Sequence, residues 1–286
     1  MILGIIGGSG MYDLGGTWAA ESIDTDTPFG KPSGPVIRVA GKRNTLLFLA
    51  RHGEGHRLTP TEVNYRANVF ALKKLGAKAL VSVSAVGSMR EQIEPGDMAL
   101  PDQYVDLTRG IRPHSYFGEG VVAHAPMAKP TCASLRQQIS SLLESRNCRV
   151  HAGGTYVCIE GPQFSTRAES DLYRSWPLET RQVVVIGMTA MPEARLAREA
   201  GLCYQTVAMA TDFDCWNESG GEVSVDEVLR VMAENVEKSR RLAVDLADND
   251  FKCVSGCNGH MRHSVITPRE RWPRDRMETL SVILGE

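Results

Sequence analysis

Asp212 and Asp214 stand one residue apart at the end of an apolar run, Val207-Ala-Met-Ala-Thr-Asp-Phe-Asp-Cys-Trp216. If Val207 to Ala210 form a buried strand, a side-chain period of two carried past its end turns both carboxyls to one side of the backbone. Ionised Asp only accepts hydrogen bonds, whereas the protonated acid also donates. Such a pair suits a ligand edge with two neighbouring nitrogens, as N7 and the 6-amino group of adenine offer. The competing reading is a turn after a strand, capped by Asp212.

Other residues are suited to an anion. Gly7-Gly-Ser-Gly10 follows the apolar stretch Ile2 to Ile6, so backbone N–H groups and the Ser9 hydroxyl can wrap a phosphate. Gly8 and Gly10 give half of a G-x-G-x-x-G pattern and the third glycine is missing, which favours a phosphate loop over a dinucleotide fingerprint. Arg51 and His52 follow a second strand-like run, Thr45 to Ala50. Ser84 and Ala85 close a third, Ala79 to Ala85, at the strand ends where ligands of open α/β sheets collect.

The elements that must carry these residues alternate. Strands are expected at 97–101, 155–159, 183–186 and 203–210, and helices at 61–75, 132–145, 166–174 and 192–200. Ser224-Val-Asp-Glu227 reads as a capping box opening a last long helix that ends near Asp248. Strands alternating with helices predict an α/β fold with much of its sheet parallel. No internal repeat or linker divides residues 1–248, and 249–286 reads as a polar tail that turns apolar again at 277–284.

At 286 residues, 42% hydrophobic and 23% charged, the chain has the composition of a globular protein. A net charge of −2 without basic clusters speaks against nucleic acid and favours a small ligand. The start has neither a basic leader nor a cleavage site, and no apolar run is long enough to span a membrane, so a cytoplasmic location is expected. Of seven cysteines, Cys132, Cys148, Cys158, Cys203 and Cys215 are scattered in apolar or helical contexts as reduced buried thiols are, and Cys253 and Cys257 look paired. The run Cys253-x3-Cys257-x2-His260-x2-His263 holds its Cys and His pairs too close together for a usual structural zinc site, so no metal is expected.

An ordered set of motifs carries a resemblance. Gly4-Ile-Ile-Gly-Gly-Ser-Gly10, Thr27-Pro-Phe-Gly-Lys-Pro-Ser33, Ala50-Arg-His-Gly53, Val63-Asn-Tyr-Arg-Ala-Asn68, Ser84-Ala-Val-Gly-Ser88, Ile159-Glu-Gly-Pro162, Phe164-Ser-Thr-Arg-Ala-Glu-Ser170, Gly187-Met-Thr189 and Ala210-Thr-Asp-Phe-Asp214 resemble the 5'-methylthioadenosine phosphorylases, in the trimeric branch of the purine nucleoside phosphorylase family. The resemblance implies one α/β domain around a mixed, partly closed sheet flanked by helices. It implies a homotrimer, alone or as a dimer of trimers, and no cofactor beyond inorganic phosphate as co-substrate. The implied reaction is phosphorolysis of 5'-methylthioadenosine to adenine and 5-methylthioribose 1-phosphate. A broader phosphorylase acting on adenosine, inosine or 5'-methylthioinosine is the alternative.

The same resemblance implies roles. Ser9, Arg51, His52, Ser84, Ala85 and Thr189 would bind phosphate; Phe164 would stack on the purine beside Ser165; Met188 would lie against the ribose. Asp212 and Asp214 would read the N7 and 6-amino edge, with Asp212 sharing its proton with N7, where 6-oxopurine relatives carry Asn. His124 from a neighbouring subunit, with Val225, Val228 and Ile283, would line the 5' end, the tail from 272 docking there. Gln163 stands where the family commonly has Arg, and 176–182 is longer than usual.

Overall fold

Four apolar strands carry the centre of the molecule because each is buried on both faces. In the computed structural model, which describes residues 1–8, 19–217 and 225–286 except the side chains of 225 and 227–229, these are β1 (Ile2–Gly7), β4 (Thr45–Ala50), β5 (Ala79–Ser88) and β11 (Cys203–Asp212). They run parallel in the order β4-β1-β5-β11, with Gly7 opposite Ala50 and Val83, and Ser84 opposite Ala208. This register brings the residues just beyond β1 and β4 level with the middle of β5.

The period of two sorts side chains between two cores. Leu3, Ile5, Leu46, Phe48, Ala79, Val81 and Val83 point into one, shared with α2 (Ala133–Ser145) and α5 (Val225–Asp248). Ile6, Leu47, Leu49 and Leu80 point into the other, shared with α1 (Tyr65–Lys74), α4 (Ala190–Glu199) and α6 (Arg274–Leu284). Each fully buried side chain of this kind contributes about 1.5–3 kcal/mol. Buried on both sides, the strands read as continuous apolar runs in sequence.

Around this centre the sheet is mixed. β2 (Ala20–Ile23), β3 (Val36–Ala40) and β4 form an antiparallel edge. The last two residues of β5 pair antiparallel with β10 (Val183–Gly187), which continues in parallel to β9 (Thr155–Ile159) and β7 (Gln103–Leu107). β6 (Met98–Leu100) pairs antiparallel with β11 and parallel with β8 (Val150–Ala152). The sheet therefore branches at β5, which is three residues longer than its apolar run suggests.

The helices begin where caps allow. α1 starts at Tyr65, later than expected from periodicity, because the Asn64 side chain accepts from Ala67 N at 3.1 Å and 59–63 form turns. α3 (Arg167–Ser175) has a capping box, with Thr166 and Glu169 exchanging side-chain and backbone bonds. The capping box expected at Ser224 lies outside the described residues. Among the described residues no helix is long and apolar enough to cross a membrane.

Candidate functional site

The carboxyl ends of β1, β4, β5 and β11 enclose a cavity of about 290 Å³. Gly8, Arg51, His52, Ser84 and Ala85 line it from the parallel strands, and Ile159, Met188 and Thr189 from the ends of β9 and β10. Phe164, Ser165, Asp212 and Asp214 complete the wall with Met232 of α5. Residues far apart in sequence meet here because parallel strands all present the same end.

Arg51 is fully buried. Its Nε donates to Glu193 Oε2 at 3.1 Å, one terminal nitrogen to Val83 O at 3.0 Å, and the other to Ile6 O at 3.3 Å and Ser82 Oγ at 2.8 Å. Four of its five N–H groups are thus committed, which leaves one for an anion. Glu193, itself 1% exposed, occupies one side of the guanidinium fork.

His52 is neutral near pH 7. Burial, then the Arg51 charge, push its pKa down to about 4. Its Nδ1 lies 2.8 Å from Leu58 O, and since a carbonyl only accepts, the proton is on Nδ1 and Nε2 is left as an acceptor. His52 thus lines the cavity as a neutral ring whose Nε2 can accept a hydrogen bond. The hydroxyls of Ser84 and Tyr156 lie side by side, and neither makes a hydrogen bond of normal geometry to a described group. A buried hydroxyl without a partner is costly unless a ligand satisfies it. Thr189 precedes α4 without capping it, so its hydroxyl is not spent on the helix.

The two acids converge by a different route from the one periodicity suggests. The pairing of β11 with β5 shifts register between Ala210 and Asp212, and Asp214 sits in a short 3-10 turn at φ 51°. Asp212 Oδ1 accepts from Asp214 N at 2.7 Å and Oδ2 from Thr211 Oγ1 at 2.8 Å. Asp212 therefore both caps a turn and faces the cavity, so the two readings of the sequence describe one arrangement. Burial raises the Asp212 pKa from its ordinary value, opposed by the hydrogen bonds from Thr211 and Asp214 N and helped by the charge of Asp214. Burial also raises that of Asp214, helped by the Glu169 charge. Room for the pair depends on Gly87, where a Cβ would lie 3.0 Å from Asp212 Oδ1 and 3.1 Å from Asp214 Cβ.

Phe164 is half exposed at the cavity wall, and the Ser165 hydroxyl is buried without a partner among the described residues. Met188 is held from behind. Arg112, paired with Glu160 at 2.7 Å, donates to the Met188 carbonyl at 2.7 Å, and Gly161, at φ 70°, leaves the space its thioether occupies. One cavity thus joins a hydroxyl-rich end with one buried cation to an end with two acids of raised proton affinity beside an aromatic face.

Residues 2–248 match the family model described as the phosphorylase superfamily. The chain belongs to the phosphorylase superfamily. It is 47% identical over 287 residues, covering 99% of this chain and 98% of the other, to the S-methyl-5'-thioadenosine phosphorylase of Geobacter sulfurreducens. A methylthioadenosine phosphorylase from an Antarctic soil metagenomic library superposes with a TM-score of 0.89 at 42% identity, covering 99% of this chain and 98% of that one. The methylthioadenosine phosphorylase of Schistosoma mansoni, in complex with adenine, gives a TM-score of 0.79 at 36% identity, covering 86% of this chain and 90% of that one.

Other expected residues of this phosphorylase lie elsewhere. His124 is exposed, its N–H bonded to Ser264 O at 2.9 Å, and is not part of the cavity wall. Ile283, expected beside the 5' end, is 1% exposed in the core that α6 shares with α1 and does not line this cavity. Ser9 lies outside the described residues, as do the side chains of Val225 and Val228, although Met232, one turn beyond Val228, lines the cavity. Sequence reasoning missed Glu193 and Ser82. A lone acid in Ala190-Met-Pro-Glu-Ala194 was the available signal for the first.

The cysteines also depart from expectation. Cys132 and Cys203 are not isolated buried thiols, and Cys253 and Cys257 do not stand apart as a pair: all four Sγ atoms lie within 4.8 Å of one another. His260 turns instead to Arg198, and His263 is exposed. The expectation of no metal weighed spacing within the tail alone, whereas the fold supplies two further thiols to it.

Proposed function

We propose that the protein cleaves 5'-methylthioadenosine with inorganic phosphate, giving adenine and 5-methylthioribose 1-phosphate. The observation that carries this reading is Asp212, half-buried at the cavity wall with a raised proton affinity, in the same small space as the Ser84 hydroxyl, which has no hydrogen-bond partner of normal geometry among the described residues. Phosphorolysis needs a held phosphate, a ribose that can develop positive charge, and a purine relieved of negative charge as it leaves. Protonated Asp212 donates to N7 as the glycosidic bond breaks, while Asp214 accepts from the 6-amino group. Phe164 covers the purine face, Ser165 reaches its edge, and Met188 lies against the ribose.

At the other end Ser84, Thr189, the Ala85 backbone and the remaining Arg51 N–H hold the phosphate, with Ser9 as a further ligand. His52 accepts from the phosphate hydroxyl. Met232, with Val225 and Val228 on the same helical stripe, gives the 5' end an apolar lining suited to a methylthio group, since a buried 5'-hydroxyl would lack a partner there. His124 completes that end from a neighbouring subunit of a homotrimer, and residues 1–248 form the catalytic unit with 249–286 as an appended tail.

The test is product analysis with 5'-methylthioadenosine, adenosine and inosine, each with and without phosphate. Adenine and a ribose 1-phosphate ester should appear from 5'-methylthioadenosine only when phosphate is present. Adenine release in phosphate-free buffer would make the protein a hydrolase, and faster turnover of adenosine or inosine would make it a broader phosphorylase.

A further inference from the structure

The four cysteines gathered at the amino end of β11 serve no step of the reaction. They come from three parts of the chain. Cys132 immediately precedes α2, Cys203 is the first residue of β11, and Cys253 and Cys257 belong to the tail after α5. We infer that Cys132, Cys203, Cys253 and Cys257 form a structural site for one thiolate-bound zinc ion, which fastens the tail to the catalytic unit.

The geometry is close to what zinc requires. A tetrahedron with Zn–S bonds of about 2.3 Å has sulfur–sulfur edges of about 3.8 Å. Cys132 and Cys253 already stand at 3.7 Å, and every pair lies within 4.8 Å, so closing on an ion asks for at most about 1 Å of movement, within reach of small χ1 rotations. Cys132, Cys203 and Cys257 are buried, and all four are free thiols.

The surroundings hold the donors in place and balance their charge. Cys132 N donates to Tyr204 O at 2.8 Å, tying the first ligand to the strand that carries the second. Val254 N donates to Ser134 Oγ at 3.1 Å, and the Ser134 and Ser255 hydroxyls meet at 3.0 Å, so the tail is docked on the first turn of α2. Four thiolates around Zn²⁺ carry a net charge of −2, which a buried site must offset. Arg198, 5% exposed, lies close enough to Cys257 and Cys132 for its charge to act on both. Its Nε is buried and has no hydrogen-bond partner among the described residues, which leaves an N–H for a zinc-bound sulfur.

Four protein sulfurs fill the coordination sphere and leave no position for substrate or water, so the ion is structural. Its place agrees. Cys203 and Asp212 lie at opposite ends of one strand, nine residues or about 30 Å apart.

The experiment is metal analysis of the full-length protein after incubation with zinc chloride and a thiol reductant, followed by gel filtration. About one zinc per chain is expected, released by a mercurial reagent, with a lowered melting temperature after release. Cys253→Ser and Cys257→Ser should each cut the zinc content to less than about half, whereas Cys148→Ser should leave it unchanged. Cobalt replacement should give the ligand-field bands of a tetrahedral thiolate complex. Wild-type protein with less than about 0.1 zinc per chain would overturn the inference without reference to any variant. So would peptide mapping that finds these four cysteines joined as two disulfides in protein purified without reductant.

Discussion

At the scale of single residues the site rests on an acid of raised proton affinity, Asp212, and on a buried hydroxyl, that of Ser84. If Asp212 delivers a proton to N7, Asp212→Asn keeps a hydrogen bond but has no proton to give, so turnover of 5'-methylthioadenosine should fall steeply. An amide can donate to O6 and accept from N7–H, so preference should shift toward 5'-methylthioinosine by roughly ten- to a hundredfold, the equivalent of about 1–3 kcal/mol. Steady-state kinetics on both nucleosides decide it, and an unchanged preference would remove Asp212 from the base edge. Ser84 offers a contrasting case. Its hydroxyl is buried without a hydrogen bond of normal geometry among the described residues, so Ser84→Ala should leave the melting temperature unchanged or higher while raising the KM for phosphate about tenfold or more, as loss of a bond to a charged group does. A KM for phosphate that does not move would place the anion elsewhere.

At the scale of elements, Arg51 and Glu193 tie the end of β4 to α4 beneath the cavity. Removing one partner of a buried ion pair leaves the other charge uncompensated, at a cost of about 3–5 kcal/mol. Glu193→Gln should therefore lower the denaturation midpoint strongly, and the KM for phosphate only as far as a newly freed guanidinium allows. If urea unfolding shows stability unchanged, the pair is not holding β4 to α4. The pair also marks how far sequence could reach. Arg51 was legible as a cation at a strand end, because β4 is an apolar run whose termination is plain. That Arg51 would be claimed by Glu193 was not legible, since 142 positions separate them and only the packing of α4 on the sheet joins them. β2 escaped notice for the opposite reason: it is an exposed edge strand, and Ala20-Glu-Ser-Ile23 has no apolar pattern to betray it. The cysteine cluster was hidden in the same way as the ion pair, by long separations that only the fold closes.

At the scale of the whole molecule, the remaining question is why His124 stands exposed and outside the cavity of its own chain. The homotrimer reading answers it: in a cyclic assembly each interface is heterologous, so a residue on one face of a subunit can complete the pocket opening on the other face of its neighbour. His124→Ala should then lower kcat/KM for 5'-methylthioadenosine although nothing in the single chain's cavity has changed. Mixing makes the argument sharper. In trimers reassembled from equal amounts of Asp212→Asn and His124→Ala chains, a pocket is intact when its own chain carries Asp212 and its neighbour carries His124. Random assembly produces this in about one quarter of pockets. Activity measured well below KM should rise toward a quarter of the wild-type value, above the mean of the two separate variants. If the mixture gives only that mean, or if sedimentation finds a fully active monomer, His124 acts within its own chain or not at all.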